Sequence, residues 1–210
     1  DTILHNTRLI ARAAKEGGCR GLVFDAEQYA GVVMWDYDKL VKSKIMVGHS
    51  KAASMIKAKQ RGHAFAAAIC QEFPGATVWT FFAYSYIVNT KVSDESKDNR
   101  GKFDLYAAFL DGMLEGSDDD FILVDGQESS YGYTTKAELE KGAKSIRVDA
   151  LKYTSVDPDL YRKKVRVGFG FYVDASAYMG YNWNRNHPEK NYFTPGRLQR
   201  VVYHAFRVGD

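Results

Sequence analysis

Cysteine is scarce in this chain. Cys19 and Cys70 are the only two in 210 residues, too few for a disulfide framework and not at the spacing of a zinc or redox pair, so both are expected to be small buried residues. No run of 18 apolar residues occurs, and on length that excludes a membrane-spanning helix. Charge of one sign is missing too: 29 basic and 26 acidic residues are dispersed to a net +3, which leaves no electrostatic footprint for nucleic acid. Neither a Gly-x-Gly-x-x-Gly nor a Walker pattern is present, so no nucleotide cofactor is expected. The histidines, His5, His49, His63, His187 and His204, are scattered without carboxylates at ligand spacing, and no metal site is expected. The chain opens on Asp1 with no start methionine, basic n-region or apolar h-region, which leaves localisation open.

What is present is an ordinary globular composition, 45% hydrophobic and 26% charged, suited to one core and a single domain over residues 1–210. Ile3, Thr7, Ile10 and Ala14 form a helical stripe that Gly17-Gly18 terminates. A strand at 21–27 follows, then a loop at about 28–49. Ser50 caps a long helix with Met55, Ala58, Gly62, Phe65, Ile69 and Phe73 on one stripe, ended by Pro74-Gly75. Residues 77–86 are rich in β-branched and aromatic side chains and predict a second strand, followed by a polar loop at 89–102. A helix from Phe103 to Gly116 leads to a third strand at Phe121–Val124. Thr135-Lys136-Ala137-Glu138 is a capping box for a fourth helix. Residues 165–173 predict a fourth strand ending at Asp174, and Thr194-Pro195 opens a last helix.

Helix and strand alternating four times predict an α/β fold with a parallel sheet and flanking helices. Four strands do not close a barrel, which takes eight in this class. The expected architecture is therefore an incomplete TIM barrel, the later part of a (β/α)8 fold, with Gly168 and Gly170 suited to a crowded interior.

The most informative stretch is Gly21-Leu22-Val23-Phe24-Asp25-Ala26-Glu27. Side chains alternate along a strand, so Asp25 and Glu27 project together from its carboxyl end, where α/β folds build their sites. Such acids also serve as helix caps or partners for lysines. This stretch resembles the fourth barrel strand of glycoside hydrolase family 18, Asp-x-x-Asp-x-Asp-x-Glu, with Asp25 and Glu27 in its last two acidic positions and Arg20 and Val23 in place of the earlier two. Beyond it, Asn191-Tyr192-Phe193-Thr194-Pro195 resembles the approach to a last strand in (β/α)8 glycosidase-like proteins. The resemblance implies a carbohydrate ligand and strands that correspond to the fourth to seventh of a barrel.

Glycoside hydrolysis needs a proton donor at the leaving oxygen and a second group at the oxocarbenium-like centre. Glu27 is the expected general acid/base, its protonated form favoured by the apolar strand end and by Asp25. Asp174 is a candidate nucleophile from its strand interval, which resembles that of retaining barrel glycosidases. Glu128 and Asp125 compete with it, or cap loops beside Tyr131, Gly132 and Tyr133. The family 18 resemblance implies instead that the substrate's own acetamido oxygen attacks. Tyr29, Trp35, Tyr84, Tyr86, Tyr131, Tyr181 and Trp183 fall at or beyond predicted strand ends, either as stacking platforms for sugar rings or as loop packing. A glycosidase is the expected function. The alternatives are a non-catalytic carbohydrate-binding or structural barrel, for which Val23 is the distinguishing feature, and a metal-dependent hydrolase.

Overall fold

A computed structural model describes residues 1–27, 34–45, 47–92, 103–174 and 183–210. Asp1 caps helix α1 (Thr2–Glu16) by accepting from the Ile3 amide at 3.0 Å, and strand β1 (Gly21–Phe24) follows. Next come α2 (Tyr37–Lys42), α3 (Lys51–Glu72) and β2 (Thr77–Thr80). Helices α4 (Tyr84–Val92) and α5 (Asp104–Gly116) precede β3 (Ile122–Asp125). The chain then builds α6 (Lys136–Arg147), α7 (Pro158–Lys164), β4 (Val165–Val167) and α8 (Pro195–Val208). Local chemistry accounts for the clearest helix starts. Ser50 accepts from Ala53, Thr135 and Glu138 close their capping box, and Thr194 with Pro195 opens α8.

The four strands pair in parallel in the order β1-β2-β3-β4, as the alternation predicts. Each crossover advances the same way across the sheet. Crossovers of one hand that all advance together place their helices on one face, the arrangement of a singly wound sheet. Leu22, Val78, Leu123 and Val165 align across the strands and share one core with Ile69 of α3, Leu110 and Leu114 of α5, and Ala143 and Ile146 of α6. The opposite row, Val23, Trp79, Val124 and Arg166, is barer, with Val23 66% and Trp79 43% exposed. A groove of about 430 Å³ runs along that row between Trp79, Val124, Phe169, Phe171 and Phe206.

The helix layer is drawn tight by glycine. A Cβ on Gly112 would lie 1.9 Å from the Lys59 carbonyl oxygen, one on Gly62 1.9 Å from that of Phe109, and one on Gly116 2.4 Å from that of His63. Helices α3 and α5 therefore cross backbone against backbone, which no larger residue permits.

Several expectations are corrected. The second strand stops at Thr80, and residues 84–92 are helix α4, so Tyr84 and Tyr86 are helical. The fourth strand stops at Val167, because its partner β3 ends at Asp125, whose carbonyl takes the Gly168 amide at 2.8 Å. Asp174 thus lies in an exposed turn beyond an irregular segment. Ile3 and Ile10 are 68% and 61% exposed, and α1 instead buries Thr7 and Ala11. Cys70 is buried but Cys19 is exposed, and both are free. The loop after β1 contains α2, and α7 had no counterpart in the sequence pattern. The Gly112→Ala variant should lose about 3 kcal/mol, since a methyl group there forces two backbones apart. A fall in the urea unfolding midpoint at unchanged m-value checks it.

Candidate functional site

The site forms where β1 and β3 end. Past Phe24 the alternation continues, with Asp25 and Glu27 exposed and Ala26 between them buried. The Asp25 carboxylate accepts from the Glu27 amide at 2.8 Å, a local turn that orients the pair. Trp35 seals this end from below: its indole Nε1 donates to the Ala26 carbonyl at 2.9 Å, and its ring packs on Tyr106 and Phe109 at 4.8 and 5.2 Å.

Strand β3 contributes through Asp125 and the turn after it. Asp125 is fully buried, and its carboxylate accepts from the amides of Ala83 (3.2 Å), Ser85 (2.7 Å) and Gln127 (3.2 Å) and from the Ser85 hydroxyl (2.6 Å). Burial holds this carboxyl above its usual range against those four bonds, which favour the charged form. The group caps the start of α4 from a neighbouring strand. As a sugar contact it is therefore corrected: it is a buried joint. Gln127 follows with φ 45° and ψ 66°, a left-handed backbone costly for a residue with a side chain. That kink swings the next residue, Glu128, into a short 3₁₀ turn, Glu128–Ser130.

Glu27 and Glu128 line one cleft of about 190 Å³ together with Ala26, Trp35, Phe82, Tyr86 and Phe103. Its aromatic wall is continuous, with Tyr86 5.0 Å from Phe82 and 4.8 Å from Phe103 between ring centres. Burial raises the Glu128 carboxyl above its ordinary range, the charges of Glu27 and Asp25 push it the same way, and a bond from Tyr131 pulls it back. Burial also raises the Tyr86 phenol, with Glu128 and Glu27 adding to the effect. Among the described residues none of Asp25, Glu27 and Glu128 has an ion-pair partner. No three His, Cys, Asp or Glu side chains among them are placed to hold a metal ion.

The remaining candidates separate from this cleft. Tyr84 is fully buried, and its hydroxyl donates to Asp111 at 2.8 Å, so the stacking role is corrected to a core one. Asp174 and Trp183 are exposed and do not line the cleft. Tyr29 and Tyr181 lie outside the described residues. Phe82 and Phe103 line the cleft without having been singled out in the sequence, since a lone phenylalanine beside a helix start carries no local signal. No family model matches the chain, and no curated protein or solved structure matches it either.

Replacing Asp125 by Asn puts an amide NH₂ in place of one carboxylate oxygen, facing either the Ser85 amide or the Ala83 and Gln127 amides. The expected cost is about 2 kcal/mol, the penalty of a buried donor left unmatched. Urea unfolding measures it, and faster amide exchange at Ala83 and Ser85 localises it to the start of α4.

Proposed function

We propose that the cleft binds a carbohydrate and hydrolyses a glycosidic bond, with Glu128 as the proton donor and Glu27 as the second carboxylate. One observation carries this reading: two carboxyl groups from the ends of different strands share an aromatic-walled cleft, and one of them is pushed toward its protonated form. Hydrolysis by such a pair requires that asymmetry, one group protonated to give a proton to the leaving oxygen and one ionised to face the developing positive charge. The sequence pattern favoured Glu27 as the acid. Glu128 suits the role better, since Glu27 is exposed while Glu128 is half-buried with two neighbouring negative charges. Asp25 orients Glu27 through its turn and raises Glu128 through its charge. Tyr86, Trp35 and Phe103 offer ring faces and edges for a pyranose. Three carboxylates with no cationic partner among the described residues favour a neutral sugar over a uronic or otherwise anionic one.

The architecture we propose is the later part of a (β/α)8 barrel. Three features support it: crossover helices on a single face of the sheet, a barer row on the other, and exposed apolar groups on the flanking helices. Those groups are Ile3 and Ile10 on α1 and Tyr203 and Phe206 on α8. A barrel turns the bare row inward and covers each flank with another helix. On such a fold the cleft sits at the carboxyl ends of the strands, the face that carries chemistry.

A non-catalytic sugar-binding protein is the second reading. Val23, placed before Asp25 on the same row, supplies no additional acid there.

Glu128→Gln should cut turnover of an aryl glycoside by about 10²–10⁴ with sugar binding retained, as loss of a general acid does. Asp25→Asn should move the alkaline limb of the pH profile to lower pH. Removing a negative charge beside Glu128 lets it lose its proton more readily, so the protonated acid disappears earlier as pH rises. Sugar binding without turnover in the unaltered protein would establish the second reading.

A further inference from the structure

We propose that Trp35 and Tyr106 form a strut beneath the cleft that fixes the spacing of Glu27 and Glu128, with Tyr106 acting as a positioning residue from outside the cleft. The catalytic consequence rests on the roles given to the two glutamates; the geometry does not. Trp35 is delivered by the start of α2, where the buried Asp36 side chain accepts from the Lys39 amide at 3.1 Å. Its indole Nε1 donates to the Ala26 carbonyl at 2.9 Å, one residue before Glu27. Its ring stands 4.8 Å from that of Tyr106, a fully buried residue of α5. The Tyr106 hydroxyl in turn donates to the Phe82 carbonyl at 2.9 Å, and its ring lies 5.5 Å from the Phe82 ring. Ala26 and Phe82 both line the cleft, one beyond β1 and the other beyond β2, while Tyr106 does not.

The end of β2 carries the strut on to Glu128. Successive carbonyls there each take one donor: Thr80 from the Gly126 amide at 2.8 Å, Phe81 from the Glu128 amide at 2.8 Å, and Phe82 from the Tyr106 hydroxyl. Residues 80–82 are therefore a common bench for both glutamates. Glu128 hangs from one of its carbonyls by its own amide, and the backbone before Glu27 is tied to the next carbonyl through two side chains.

Phenol-to-carbonyl bonds are ordinary in a core. Tyr161 makes one to Ile146 at 2.8 Å, and neither of those residues lines the cleft. The Tyr106 bond differs because the carbonyl it holds belongs to a cleft residue and adjoins the one that takes the Glu128 amide. Burial, with the charges of Asp125 and Asp25 adding to it, holds the Tyr106 phenol well above its ordinary range, so at neutral pH it remains a donor. Removing its hydroxyl frees the Phe82 carbonyl, and removing the indole N–H frees that of Ala26. Either change lets the end of β1 relax from the bench, and the exposed Glu27 moves away from Glu128.

The spacing can be read through the charge of Glu27. Carbon-detected NMR follows the titration of the Glu128 carboxyl with and without Glu27→Gln, in the unaltered protein and in Tyr106→Phe, Trp35→Phe and Tyr161→Phe. Glu27 and Asp25 beyond β1 raise that carboxyl, and Glu128 opposes the ionisation of Tyr86 of α4 and Tyr131 of its own loop. Of these groups only Glu27 is varied. In the unaltered protein Glu27→Gln should lower the Glu128 midpoint, because a neighbouring negative charge is gone. In Tyr106→Phe and Trp35→Phe the same replacement should lower it by less, since the interaction weakens with distance. Tyr161→Phe, which removes an equivalent buried bond elsewhere, should keep the full drop. An undiminished drop in a folded Tyr106→Phe or Trp35→Phe overturns the proposal. So does an equally diminished drop in Tyr161→Phe, or no drop in the unaltered protein. Should one of the two strut variants fail to fold, the other decides alone. In turnover assays Tyr106→Phe should lose kcat, up to about 10²-fold, with KM little changed, as misplacement of a reacting group does. If Glu128→Gln leaves turnover intact while the drop still shrinks in Tyr106→Phe, the acid role falls and the strut stands.

Discussion

The buried carboxylate of Asp125 is the joint on which the site depends. It ends β3, receives the amides that begin α4, and accepts from the amide of the kinked Gln127. Those three connections fix, in turn, the helix carrying Tyr86 and the turn carrying Glu128. A fully buried carboxyl is costly unless its lone pairs are filled, and four donors fill them here. The same low-dielectric surroundings that make an unmatched group expensive make this matched one rigid. The left-handed backbone at Gln127 persists because it is held on both sides. Its amide is taken by Asp125, and its buried side chain lies against Gly142 and donates to Ser145 at 3.4 Å.

Rigidity on one side of the sheet contrasts with bareness on the other. The glycine-lined crossing of α3 and α5 lets the helix layer press on Leu22, Val78 and Leu123, whereas the row with Val23 and Trp79 stays open. An open sheet wound in one direction buries only half of its apolar surface. That imbalance is seen also in Phe206, at 85% exposure.

Much of the fold was legible because its signals are local. Capping residues at Ser50, Thr135 and Thr194, the stop at Pro74-Gly75 and the apolar strand cores are each read from neighbours in the chain. The errors have a common physical origin in distant partners. Helix α4 begins where Asp125 accepts from the Ser85 amide, 40 residues away in sequence, so no cap near Tyr84 announced it and the aromatic run read as strand. The fourth strand ended where its neighbour ended. Asp25 and Glu27 were legible from period-two alternation alone, but the depth that distinguishes Glu128 from Glu27 is a property of the assembled cleft.

The charge pattern adds a constraint that composition hides. The chain is net positive, and its described acids are largely engaged elsewhere, as in Asp104 with Lys51, Glu115 with Lys59 and Asp210 with Arg147. At the cleft three acids stand together without such a partner among the described residues. Pairing them with lysines would lower the Glu128 carboxyl toward its ordinary range. Without a lysine or arginine partner among the described residues, the Glu128 carboxyl stays above its ordinary range, at a cost in stability that the joint at Asp125 and the aromatic wall must offset. The same negative field would repel an anionic ligand at the cleft. The raised Glu128 carboxyl and the charge of any ligand the cleft would accept thus follow from a single electrostatic arrangement, and a cation introduced beside Glu128 would alter both.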